Sequence, residues 1–157
     1  MPNKKPYVQV ASVCERVLQE PDGVITPVRL IDVLTLSQVK VSTPAAGNLE
    51  AQQVSIVEVM DLSLIVSLKS GDVTGDHKFS LTMHDPKGQI VPIGTDYPVV
   101  LKGNDGVNFK MKFGLPMNAP EGLYWFAVLW DGDELTRFPL RLKREVAAET
   151  ADEAKLH

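Results

Sequence analysis

Residues 107 to 143 constrain the fold more than any other stretch of the chain. Val107, Phe109, Met111 and Phe113 alternate strictly with Asn108, Lys110 and Lys112, the period of two that marks a strand with one dry face. Gly114 to Gly122 leads into Leu123-Tyr124-Trp125-Phe126-Ala127-Val128-Leu129-Trp130, apolar at every position. Asp131-Gly132-Asp133 then turns the chain into a segment where Phe138, Leu140 and Leu142 alternate with Arg137, Arg141 and Lys143. An Asp-Gly pair between two β-rich runs is a strong hairpin signal. The order is strand, loop, strand, tight turn, strand.

The rest of the chain carries the same punctuation. Eleven prolines and eleven glycines divide it into segments of strand length. Tyr7 to Val13 reads as a first strand, and Cys14 to Glu20 as one helical turn stopped by Pro21-Asp22-Gly23. Val24 to Val41 is rich in Val, Ile, Leu and Thr, with Pro27 near its start, where a strand tolerates proline. Thr43 to Gln53 lacks periodicity and reads as a long loop. Ile56 to Lys69 is strand-like with a defect, because Val57 and Val59 sit on odd positions while Leu62, Leu64, Val66 and Leu68 sit on even ones. That phase change predicts a bulge or break at Met60-Asp61. Phe79, Leu81 and Met83 alternate with polar residues. Asp85-Pro86-Lys87-Gly88 matches type I turn preferences, short strands follow at about 89–93 and 97–102, and Gly103 to Gly106 turns into the strand at Val107.

About nine such strands predict an all-β, single-domain antiparallel β-sandwich of about seven to ten strands over residues 1–145. A chain of 157 residues buries roughly 70% of its unfolded surface, so it needs neither disulfide nor metal to fold. Glu145 to Leu156 is the best helix candidate but has no apolar stripe, so 146–157 reads as a flexible acidic tail. That tail sets Glu149, Asp152 and Glu153 against Lys155, a net of −2, and leaves −2 of the chain's −4 for residues 1–145.

Such a balance offers no bulk attraction to nucleic acid. The N-terminus lacks the apolar core of a secretory signal, and no window holds 18 uncharged apolar residues, so the expectation is no membrane span and a cytoplasmic chain. Cys14 is the single cysteine, which excludes a disulfide framework and reads as a small buried hydrophobe.

Two resemblances bear on the fold. Asn118-Ala-Pro-Glu-Gly-Leu-Tyr-Trp-Phe126, followed by a strand and Asp131-Gly132, resembles the late strands of immunoglobulin-like sandwiches, with Tyr124 where a tyrosine-corner residue stands. The Cys–Trp–Cys framework of antibody domains is absent. Val10-Ala-Ser-Val-Cys14, the turn at Asp22-Gly23, Val28-Arg-Leu-Ile-Asp32 and the Asp85-Pro86-Lys87-Gly88 unit resemble an uncharacterised family of bacterial β-sandwich domains. That family implies a fold and assigns no site.

Catalytic signatures are missing from the sequence. His77 and His84 stand an odd seven residues apart and would face opposite sides of one regular strand. There is no His-Glu-x-x-His, no Gly-x-Ser-x-Gly and no phosphate-binding Gly-x-x-x-x-Gly-Lys. Asp72, Asp76, Asp131 and Asp133 fall at strand ends, where acids gather in calcium- or lipid-dependent sandwiches. Asp also serves turns directly.

The run 123–130 is the feature that asks for a partner. Leu123, Trp125, Ala127 and Leu129 face one way, and Tyr124, Phe126, Val128 and Trp130 the other. The parity Trp125 shares with Leu123 and Leu129 assigns it to the core. It leaves Tyr124, Phe126 and Trp130 as a contact face, joined by a basic strip of Lys110, Lys112, Arg137 and Arg141. The expected function is a non-catalytic binding or assembly module, without cofactor, acting through a protein partner or self-association. The alternatives are a calcium- or lipid-dependent domain and an enzyme whose site is assembled from distant loops.

Overall fold

The computed structural model describes residues 5–38, 59–116 and 118–146. Nine strands account for most of them: β1 (Tyr7–Gln19), β2 (Ile25–Leu30), β3 (Val33–Gln38), β4 (Val59–Lys69), β5 (Thr74–His84), β6 (Ile90–Lys102), β7 (Gly106–Pro116), β8 (Gly122–Trp130) and β9 (Asp133–Val146). No described residue is helical. The loop expected at 43–53, residues 56–58 and the tail from 147 lie outside the described residues.

Local chemistry sets the turns where the sequence placed them. Asp131 and Gly132 both adopt positive φ, at 49° and 85°, as a two-residue hairpin requires. At Asp85 the carboxylate accepts from the backbone of Lys87 and Gln89, at 2.9 and 2.7 Å, while Gly88 N donates to Asp85 O. Asp22 repeats this device by accepting from Val24 N at 3.0 Å. Gly122 opens β8 at φ 136°, and a Cβ there would lie 2.8 Å from Pro86.

The strands form a four-stranded sheet, β2-β1-β4-β7, and a five-stranded sheet, β3-β9-β8-β5-β6. Every pair is antiparallel except β3 with β9, which is parallel and departs from the all-antiparallel expectation. The chain passes between sheets at Ile31 and Asp32. Ile31 N donates to Val13 O in the first sheet, and Asp32 O accepts from Arg141 N in the second.

Two local expectations are corrected. Cys14 to Gln19 continues β1 as strand, because β1 leaves β4 at Cys14 and pairs with β2 as far as Gln19. The predicted bulge at Met60-Asp61 is absent, since β4 pairs with β7 without a shift from Val59↔Pro116 to Lys69↔Gly106. The bulges lie instead in β1, between β5 and β6, and between β8 and β9.

One apolar core joins the sheets. Val13, Leu64, Val66, Leu68 and Leu115 of the first sheet meet Phe79, Leu81, Tyr124, Phe126, Val128, Trp130, Leu140 and Leu142 of the second. Phe109 stacks on Phe79 at 3.7 Å between centroids, and Phe113 meets Phe126 edge-on at 5.3 Å. These contacts carry β7 over the second sheet. Tyr124 is 2% exposed, and its hydroxyl donates to Pro120 O at 2.7 Å, so a phenol enters the core with its polar atom satisfied. Removing that hydroxyl by Tyr124→Phe should lower stability by about 1 kcal/mol, the usual net value of such a bond. Urea unfolding checks this, with an unchanged midpoint contradicting it.

Candidate binding surface

Strand pairing defines what the five-stranded sheet shows on its outer side. Residues directly opposite one another share a face. Ile90, His84, Trp125 and Pro139 therefore form one row across β6, β5, β8 and β9. Pro92, Thr82, Ala127 and Arg137 form the next. On the other flank Leu123 pairs with Arg141, and Arg141 with Val33 of β3. Ile90 is 59% exposed and Val33 48%, while Leu123, Trp125 and Leu129 are half-buried. Ionic groups border the row, with Arg137 holding Glu134 in a two-pronged pair at 2.9 and 2.8 Å.

The two faces of β8 are the reverse of the sequence expectation. Tyr124, Phe126 and Trp130 are core residues, at 2% exposure or less, and Trp125 stands on the outer face. One extra residue in β9 brings the apolar residues of that strand onto this same inward face. Trp130 pairs with Asp133 and Leu129 with Glu134, but Val128 pairs with Thr136 and Phe126 with Phe138. An unbroken hairpin register would have set Trp125 opposite Phe138 of the core; the bulge sets it opposite Pro139.

The expected basic strip is also divided. Lys110 and Lys112 pair with Ile65 and Ser63 of β4, on the outer side of the four-stranded sheet. Arg137 and Arg141 pair with Ala127 and Leu123, on the outer side of the five-stranded one. The four cations lie on opposite surfaces of the domain.

At the end of the sandwich the structure assembles a pair that sequence spacing hid. His77 Nδ1 lies 2.7 Å from Asp131 Oδ2, and Nε2 lies 2.9 Å from Thr74 O. Both partners are acceptors, so the protonated ring, which donates from both nitrogens, is the form this geometry favours. It tilts over the indole of Trp130 at 4.9 Å, within cation–π reach. Asp131 Oδ1 accepts from Lys78 N at 2.9 Å, and Asp131 N donates to Lys78 O. His77 is a clasp tying β5 to the β8–β9 turn, with both ring nitrogens engaged. Residues 54 apart carry no local signal of such a contact.

The loop acids do not converge. Asp131 is committed to His77 and Lys78, Asp133 lies 3.5 Å from Lys5, and no group of three metal-ligating side chains forms among the described residues. Asp72 stands in the turn before β5 and Asp76 within β5, and among the described residues neither gathers with Asp131 and Asp133 into a cation site. Cys14 is fully buried and burial raises its thiol pKa, which keeps it protonated. A separate cavity of about 510 Å³ lies on the outer side of the four-stranded sheet. Asp22 and Val24 of the β1–β2 turn line it together with Ile65, Ser67, Lys69 and Asn108. No helix among the described residues is long and apolar enough to cross a membrane.

The clasp makes stability pH-dependent in a defined direction. Its hydrogen bond to Asp131 raises the His77 pKa above the ordinary 6.5, so this contribution is complete below 6.5 and is lost as pH rises through the folded value. The same bond lowers the Asp131 pKa below the ordinary 3.8, so that contribution is lost only in acid. The melting-temperature advantage of wild type over Asp131→Asn should shrink on going from about pH 6 to about pH 9, across and above the imidazole titration. An advantage that is flat or grows over that range contradicts the clasp.

No family model and no curated protein matches this chain. Among solved structures it is similar to the Pseudomonas fluorescens alkylpurine DNA glycosylase AlkC bound to DNA containing an abasic site analog, with a TM-score of 0.44 and 9% identity over 85% of this chain. The chain spans only 30% of that protein, and a likeness at this level carries no inference about fold or chemistry.

Proposed function

We propose that the chain is a non-catalytic binding module of immunoglobulin-like architecture that meets a protein partner through the outer face of its five-stranded sheet. The architectural part rests on three features. The early strand β3 crosses over to run parallel beside the last strand, β8 and β9 form a tight hairpin, and Tyr124 bonds to the backbone four residues upstream at the start of β8. The last is the geometry of a tyrosine corner.

The row Ile90, His84, Trp125 and Pro139, flanked by Leu123 and Val33, is the observation that carries the functional part. Antiparallel sandwiches turn a polar face to water, whereas this face has an aromatic centre, aliphatic flanks and an ionic border of Arg137, Glu134 and Arg141. Aromatic centres with polar rims characterise protein contact surfaces. Catalysis has no support from the groups most suited to it, since His77 has both nitrogens engaged and Cys14 is buried.

Truncation separates the two tryptophans. Trp130→Ala should cost about 3–5 kcal/mol, as for a core aromatic. Trp125→Ala should cost about 1 kcal/mol or less and leave the fold intact, with the loss appearing in association. A photo-crosslinking residue in place of Leu123 should form discrete adducts with a second copy or another protein, and Trp125→Ala should abolish them. Equal destabilisation by both truncations, with no adducts at position 123, contradicts the proposal.

A further inference from the structure

The four edges of the two sheets are unequal. β2 is six residues long, carries Pro27, and has Arg29 at φ 50°. β3 is also six residues long. β6 is longer but is interrupted by Pro92, Pro98, a positive φ at Asp96 and two shifts of register against β5. Prolines and bulges of this kind prevent another strand from pairing. β7 has none of them. It runs eleven residues with proline only at its last position, its pairing with β4 is unbroken, and its other side pairs with no strand among the described residues.

The side chains of β7 specify what would fit there. Val107, Phe109, Met111 and Phe113 pack against the core yet stay half-buried. A concavity of about 230 Å³ lies beside this edge, lined by Tyr97, Asn108, Phe109, Lys110 and Met111. That is below the range for a drug-sized ligand and suits a side chain. On the outer face Lys110 and Lys112 alternate with them, and neither has an ion pair among the described residues. Asp61, the acid on β4 facing the same way, stands opposite Gly114. A second copy is a poor occupant, because antiparallel pairing of two β7 strands about Met111 sets Lys110 against Lys112 of the copy. Like charges directly opposite destabilise a sheet and unlike charges stabilise it.

We propose that β7 is a strand-addition site for an extended segment of a partner protein that alternates apolar with acidic residues. Its backbone completes the ladder, its apolar side chains cover Phe109, Met111 and Phe113, and its carboxylates oppose Lys110 and Lys112. This surface is separate from the Trp125 face, so either can fail without the other.

The test uses the full chain and two eleven-residue peptides, one alternating valine with glutamate and the other valine with lysine. The glutamate peptide should slow hydrogen exchange at those amides of residues 107–115 that point away from β4, and should bind about tenfold more tightly than the lysine peptide. Lys110→Glu with Lys112→Glu should invert that preference. Lys110→Gln with Lys112→Gln should abolish it while preserving the fold, which keeps the test decisive if the first variant is unstable. Amides already protected without peptide, protection at β6 and not β7, or equal affinity for both peptides would overturn the proposal.

Discussion

The register between β8 and β9 shifts by one residue next to the turn that joins them, and the inner face of the five-stranded sheet follows from that shift. Without it, Trp125 would lie opposite Phe138, and Phe126 opposite Arg137. The two strands would then disagree about which side is dry, and a guanidinium would enter the core at a cost of several kcal/mol. With the shift, Tyr124, Phe126 and Val128 align with Leu140, Phe138 and Thr136. Both ends of β8 hold that choice in place. Tyr124 is fixed by its bond to Pro120 O, and Trp130 lies beneath the His77 ring, itself anchored by the turn residue Asp131.

Much of this architecture was legible in the sequence, because the determining interactions are local. Period-2 alternation located β5, β7 and β9. Asp85 with Gly88 and Asp22 with Gly23 located turns through side chains that bond to the backbone within four residues, and Asp131-Gly132 did so through the positive φ that both residues adopt. Where the determinants are non-local, the sequence was silent or misleading. The bulge in β9 leaves no mark in composition, yet it sets which residues of β9 share the inward face of β8. The assignment of Lys110 and Arg137 to opposite surfaces depends on which sheet each strand joins. Cys14 to Glu20 looked like a helical turn because Glu15 and Arg16 interrupt the alternation. As part of a hairpin paired only with β2, that segment bears polar residues at no cost in burial.

The proposed activity also follows from what the core consumes. β8 is apolar on both sides, but only one side fits between the sheets. The Phe79–Phe109 and Phe113–Phe126 contacts fill the space between β7 and the second sheet, leaving the outer residues Leu123, Trp125 and Leu129 half-exposed. The ionisable groups best placed for chemistry are spent on structure, His77 and Asp131 on each other and Arg137 on Glu134. The surfaces proposed for recognition are an aromatic outer face on one sheet and, on the other, a basic edge that pairs with no further strand among the described residues.

Single-tryptophan fluorescence tests the face assignment on which this account rests. Trp125→Phe leaves Trp130 alone in the core. Trp130→Phe leaves Trp125 alone on the outer face and removes the one buried side-chain donor without a hydrogen-bond partner among the described residues. Acrylamide should quench the protein that retains Trp125 readily, and its emission should lie to the red. The protein that retains Trp130 should emit to the blue and resist quenching. Equal protection of both indoles, or greater exposure of Trp130, would contradict the assignment and with it the proposed contact surface.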